Sequence, residues 1–155
     1  MHLMILISAS LFVAAWVAGF NLPDIQVRIK LALPASTSAV TSGAFDTGKT
    51  TALATGVEKY ELLITAPTLT TAQLPDAKTM TYKLINSANA DLSSPSDLLA
   101  SLIVQTGAGG VGAALATKRV KVPSDALRYI GLVITPSASG TGDASGATAT
   151  LQPEF

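Results

Sequence analysis

The spacing of apolar residues limits this chain more than any other feature. Ile25-Gln26-Val27-Arg28-Ile29-Lys30-Leu31 alternates apolar and polar without a break, the period-two mark of a half-buried strand. The alternation returns at Tyr60, Leu62 and Ile64, at Met80, Tyr82 and Leu84, and at Val120 and Val122. Leu102-Ile103-Val104 and Leu132-Val133-Ile134 are short continuous apolar runs, and Ala147 to Leu151 reads as a last Thr-rich strand. Beyond residue 24 no window holds a 3.6-residue period over three turns, so helices cannot carry the fold. The best helix start is Ser94-Pro95-Ser96-Asp97, with a cap, a proline at the first position and an acid in the first turn. It has room for one or two turns.

Glycine and proline separate these runs, at Pro34, Gly43, Gly48, Gly56, Pro67, Pro75, Pro95, Pro123 and Pro136 and in the loops Gly107 to Gly112 and Gly140 to Gly146. Glycine frees φ and proline removes a ladder donor, so both end strands. The body is expected to be all-β, about eight short strands in an antiparallel sandwich or jelly roll around one core. No repeat of fixed period and no second core is visible.

The N-terminus reads differently. No charged side chain occurs before Asp24, and Leu3 to Phe20 is apolar except for Ser8 and Ser10. About 20 such residues can span a bilayer as a helix. A signal peptide is a second reading, although no Lys or Arg precedes the apolar run. A third is an apolar arm buried against a neighbouring subunit, and a fourth is a functionless extension from an early start codon. The chain therefore divides into an arm or anchor, residues 1–20, and a single β domain, residues 21–155. A membrane could be engaged only through Leu3 to Phe20.

The composition narrows the chemistry. The chain has 155 residues, no cysteine and one histidine, His2. This leaves no disulfide, thiolate metal site or Cys nucleophile, and little His-based acid–base chemistry. Ten basic and ten acidic residues cancel, so no electrostatic footprint for nucleic acid is present. Charged residues are 13% of the chain, about half the usual share of a soluble domain.

Two motifs suggest nucleotide chemistry and lack its context. Gly43-Ala44-Phe45-Asp46-Thr47-Gly48-Lys49-Thr50 fits the phosphate-binding pattern G-x-x-x-x-G-K-[ST], in which Lys49 would reach phosphates and Thr50 a magnesium ion. Gly56 follows within two turns, and the apolar runs end in Thr65, Gln105 and Thr135, not in a magnesium-holding Asp. Gly107-Ala108-Gly109-Gly110-Val111-Gly112 fits G-x-G-x-x-G after an apolar run, but no room for the required helix precedes Val120. Both are expected to be loops in a β protein. The carboxylates are scattered singly, and the closest pair, Glu58 and Glu61, would face opposite sides of a strand. No catalytic constellation, metal site or cofactor is expected, and an enzyme is not the expectation.

The second half carries a resemblance. The loop TGAGGVGAA at Thr106 to Ala114, then TKRVKVPSDALRYIGL at Thr117 to Leu132, then SGTGDASGATATLQPEF at Ser139 to Phe155, resemble the small cement, or decoration, proteins of tailed bacteriophage capsids. IKLALPASTSAVTSGAFDTG at Ile29 to Gly48 looks like the opening of the same family. The resemblance spans roughly residues 21–155. It implies a jelly-roll subunit, usually a homotrimer, on the outer capsid surface of the virion where major capsid proteins meet. It also implies a role in stabilising the shell. Residues 1–20 depart from the family pattern and would be an arm inserted between protomers or under a neighbouring subunit. Arg119, Lys121 and Arg128 are the candidate contacts to an acidic capsid surface or a neighbouring subunit. Tyr60 and Tyr129 are expected in the core. The second hypothesis is a membrane-anchored or exported β-sandwich binding module.

Overall fold

The computed structural model describes residues 28–48 and 61–154. Residues 1–20, Lys49, Thr50, Glu58 and Tyr60 lie outside the described residues, so the arm, membrane and phosphate-site expectations that fall on them do too. The strands are β1 (Ile29–Ala32), β2 (Val40–Thr41), β3 (Phe45–Asp46), β4 (Glu61–Ala66), β5 (Thr79–Ser87), β6 (Ser96–Thr106), β7 (Ala116–Lys121), β8 (Tyr129–Pro136) and β9 (Thr148–Glu154). They form two antiparallel sheets. One, sheet A, runs β1-β9-β4-β7; the other, sheet B, runs β2-β8-β5-β6, with β3 also paired to β8.

β2 and β3 behave as one interrupted strand. Both pair with β8, and the register moves by one residue between Thr41↔Val133 and Phe45↔Ile130. Ser42 fills the gap: its N–H donates to the Leu132 carbonyl, and its hydroxyl accepts the Leu132 N–H, both at 2.9 Å. With β2 and β3 counted together, eight strands remain, and every connection except β5 to β6 crosses between sheets. This is the two-Greek-key order of a jelly roll, as the alternation and punctuation predicted.

The core follows from period two. Leu62 and Ile64 of β4, Ala149 and Leu151 of β9, Met80, Tyr82 and Leu84 of β5, and Ile130, Leu132 and Ile134 of β8 are all buried between the sheets. Burying such a large apolar side chain is worth roughly 1.5–3 kcal/mol.

Two expectations are corrected. The helix start at Ser94 to Asp97 is instead the entry to β6, the longest strand at 11 residues. Leu92 and Ser94 hold left-handed φ of 57° and 50°, which no helix propagates. Asn86 of β5 then captures the Ser96 carbonyl and hydroxyl with its Nδ2, at 3.1 and 3.0 Å. Leu98, Leu99 and Leu102 pack against the core. Local capping signals therefore yield to ladder pairing and burial. The second correction is that a small second cluster exists. Ile85, Leu92 and Val133 meet on the outer face of sheet B, with Ala44 and Tyr129 beside them. The β5–β6 turn folds over that face, held by the Ser87 hydroxyl donating to the Ser93 carbonyl at 2.6 Å and by the Ser93 N–H donating to Asp91 at 2.9 Å. β8 is consequently buried on both faces, which its run Leu132-Val133-Ile134 requires.

Candidate functional site

The sequence motifs resolve into structural loops. Gly107 to Gly112 joins β6 to β7. The N–H groups of Gly107, Ala108 and Val111 donate to the carbonyls of Lys78, Gly112 and Ala108, at 2.9, 3.1 and 3.2 Å. Asp76 accepts the Gly110 N–H at 3.0 Å. A phosphate cradle needs such groups free at the start of a helix. Here they are used within the protein, and a strand follows. Phe45 and Asp46 of the other motif form β3, and the Gly48 N–H donates to Asp46 at 2.8 Å.

Beneath the glycine loop sits the main buried polar group. Gln105 of β6 accepts the Tyr82 hydroxyl at 2.7 Å and donates to the carbonyls of Pro67 and Ala114 at 2.7 and 2.8 Å. Burial pushes the Tyr82 phenol well above its ordinary pKa, so it stays protonated as a donor. One side chain thus ties two loops to sheet B. This is scaffold, with no free nucleophile or base.

The charged groups sit outside. Arg119 and Lys121 of β7 are two residues apart, so both point to the outer face of sheet A. The register places Lys121, Glu61 and Glu154 in one row and Arg119, Leu63 and Gln152 in the next. Arg119 reaches diagonally over β4 to Glu154, Nε to Oε2 at 2.9 Å. From the far edge, Arg28 donates from Nε and Nη2 to the Gln152 Oε1, at 2.9 and 2.7 Å. Lys30 lies on the same face, opposite Thr150. Four cations therefore share one strand-built face with two carboxylates, although the whole chain is neutral.

Arg128 belongs elsewhere. It stands just before β8 in sheet B, paired with Asp46 of β3 through Nε–Oδ1 at 2.9 Å and Nη2–Oδ2 at 2.8 Å. Its guanidinium lies 5.1 Å from the Tyr129 ring centre. The Arg128 hydrogen bond is the main reason that Asp46 sits below the usual carboxylate range; burial opposes it, and the Gly48 N–H and the Arg128 charge add to it. The structure thus brings Arg119 and Lys121 together, adds Arg28 and Lys30, and sets Arg128 apart as a clamp between β3 and β8. Tyr129 is half-buried against the second cluster, so it belongs to neither the main core nor the cationic face.

The acidic counterpart is at the other sheet. A shallow cleft of about 500 Å³ is lined by Asn86, Ser96, Asp97, Leu98, Pro123, Asp125 and Leu127. Asp97 is paired with Lys83 at 2.7 Å. Asn86 closes the floor by accepting the Leu127 N–H at 2.9 Å. Among the described residues no three His, Cys, Asp or Glu side chains gather as a metal site.

Sequence reasoning missed the Asp46–Arg128 pair, the role of Gln105 and the cationic row that includes Arg28 and Lys30. The alternation of Arg28 and Lys30 along β1 was the only available signal for the last. Compared with known proteins, the chain matches no family model, no curated protein and no solved structure.

Proposed function

We propose that this chain is a structural virion protein that decorates and stabilises a phage capsid. It would bridge major capsid protein subunits on the outer surface, as a homotrimer. The observation that carries the reading is the outer face of sheet A, where Arg28, Lys30, Arg119 and Lys121 are presented on a rigid jelly roll. The sequence resemblance to cement proteins supports it. Such a protein needs no chemistry. It needs a flat, fixed surface whose charges complement an acidic shell and whose contacts repeat by symmetry.

Each cation on this face contributes modestly alone, because exposed pairs are worth about 0.2–1 kcal/mol. Three symmetric copies multiply the contacts, so a trimer holds where a monomer would exchange. Because exposed charges are screened over about 10 Å at 0.1 M salt, binding should weaken as salt rises.

The test is reconstitution. Undecorated capsids of the phage that carries the gene are mixed with the purified chain and sedimented. Co-sedimentation and resistance of the shell to heat are expected, with loss of binding in Arg119→Glu plus Lys121→Glu. A monomer with no affinity for the capsid would end the reading. A specific feature favours the second reading, a membrane-anchored β-sandwich binding module: the uncharged apolar run Leu3 to Phe20. Recovery with bacterial membranes and not with virions would select it.

A further inference from the structure

The chain holds a second long uncharged run besides its N-terminus. From Leu98 to Thr117 no charged residue occurs, and this stretch forms most of β6, the glycine loop and the entry to β7. Three of the four exposed large hydrophobic residues among those described fall in it: Val104 at 53%, Val111 at 77% and Leu115 at 58% exposure. Val104 stands on the outer face of β6 beside the inward-pointing Gln105, and Leu115 follows Ala114, whose carbonyl Gln105 holds. Val111 is held at the loop tip by Asp76 and Ala108. β6 is the edge of sheet B, and from Leu98 to its end it carries no charge, which leaves that part of the edge open to further association. The neighbouring edge, β7, is by contrast charged at Lys118, Arg119 and Lys121.

The other uncharged run, Leu3 to Phe20, needs cover for the same reason. The chain enters the sandwich at β1, the edge strand on the side opposite β6 and β7. Donor and acceptor therefore lie on opposite sides of one subunit. Head-to-tail joining of identical copies uses two different surfaces of the subunit, which this arrangement supplies. The eight residues from Asn21 to Arg28 reach about 26 Å when extended. This exceeds the roughly 14 Å across the three strand spacings of sheet A, so the segment can pass well beyond its own β1 edge.

We propose that Leu3–Phe20 of one copy docks on the uncharged stretch of the next copy from the later part of β6 through the glycine loop, over Val104, Val111 and Leu115, and closes the trimer. This deepens the homotrimer of the decoration reading and rests on it. The chain has no cysteine, which makes the test direct. Full-length Val13→Cys protein is mixed with full-length Val104→Cys protein, or with Leu115→Cys, under mild oxidation. A disulfide-linked pair of the two variants is expected, at least ten-fold faster than with Thr148→Cys on sheet A. Equal rates at the three positions would overturn the proposal. So would a Val13→Cys/Val104→Cys double variant that links only within single chains. Val104→Lys plus Leu115→Lys should also weaken trimer association ten-fold or more while the thermal transition of the subunit is retained; an unchanged trimer refutes the contact. The decoration reading fails separately: cross-linking trimers that ignore capsids sink that reading and keep this one. Capsid-binding trimers without the cross-link do the reverse.

Discussion

Replacing Gln105 by alanine should be among the most damaging single changes in this protein, although Gln105 lies outside the cationic face. The substitution strands the buried Tyr82 hydroxyl and two part-buried carbonyls, those of Pro67 and Ala114. Each buried polar group left without a partner costs about 1–3 kcal/mol, and a water entering the vacated space would relieve part of it. With one buried and two part-buried groups, the net expectation is about 2–4 kcal/mol. For a chain of this length that is a fall of roughly 5–15 °C in melting temperature. Urea unfolding at fixed protein concentration measures it, because association would otherwise shift the midpoint. Gln105→Glu sharpens the point. A carboxylate there faces two carbonyl oxygens, so burial and repulsion raise its pKa in the folded state above the unfolded value of about 4.3. The folded state then binds the proton more tightly. Relative to the parent, the variant is most stable below about pH 4 and loses stability as pH rises from there through the raised folded value. Tyr82→Phe and Gln105→Ala together should cost less than their sum, since the second removes what the first leaves unpaired. A Gln105→Ala variant within about 0.5 kcal/mol of the parent, or a Gln105→Glu variant indifferent to pH, would refute the assignment of this side chain as the tie between sheet B and its loops.

Other outcomes follow from the same geometry. Arg128→Ala should destabilise the fold only slightly, as for exposed pairs in general, and the effect should shrink in high salt; urea unfolding at low and high salt measures it. Because Asp46 is depressed in the folded state, the stability it contributes is present above its unfolded pKa of about 3.9 and lost as pH falls through the lower folded value; acid titration of the parent against Asp46→Asn reads this. Gly112→Ala should cost well over 2 kcal/mol, because φ is +80° and a Cβ would stand 2.1 Å from the Leu69 carbonyl oxygen. Gly109→Ala, at φ +63° with nothing within 4 Å, should cost only about 1–2 kcal/mol; equal thermal shifts in the two variants would count against the close approach. Leu132→Ala should cost about 2–5 kcal/mol as a core cavity and Val104→Ala less than about 0.5 kcal/mol in the isolated subunit, measured by chemical unfolding.

The β character of the body was legible because period two is a property of single strands. Leu62, Ile64, Met80, Tyr82 and Leu84 alternate in sequence and reach the core in the structure for one reason: successive side chains on a strand face opposite ways. Position along the chain also announced the loops, since Gly112 and Pro67 sit where a ladder must stop. The brief helix at Ser94 was a local signal overruled by partners 10 residues away, Asn86 with Ser96. The second cluster was invisible because Ile85, Leu92 and Val133 converge only when a turn folds over a sheet.

The candidate surface divides in the same way. Arg119 and Lys121 share a face by their spacing alone. Their company with Arg28, Lys30 and Glu154 depends on β9 and β4 lying between β1 and β7, an order set by crossings between sheets. Arg128 is near Lys121 in sequence and in the other sheet in space, bound to Asp46 across 82 positions. By itself, then, the sequence determined which residues lie on strands, which side of each strand is apolar, and that charge is scarce between Leu98 and Thr117. These are consequences of covalent geometry and hydration that act within a few residues. Which strands become neighbours, which cations share a face and which glutamine joins two loops were decided only by the tertiary structure. Those pairings depend on closing long loops, and only the burial and hydrogen bonds of the completed sandwich repay the entropy of closing them.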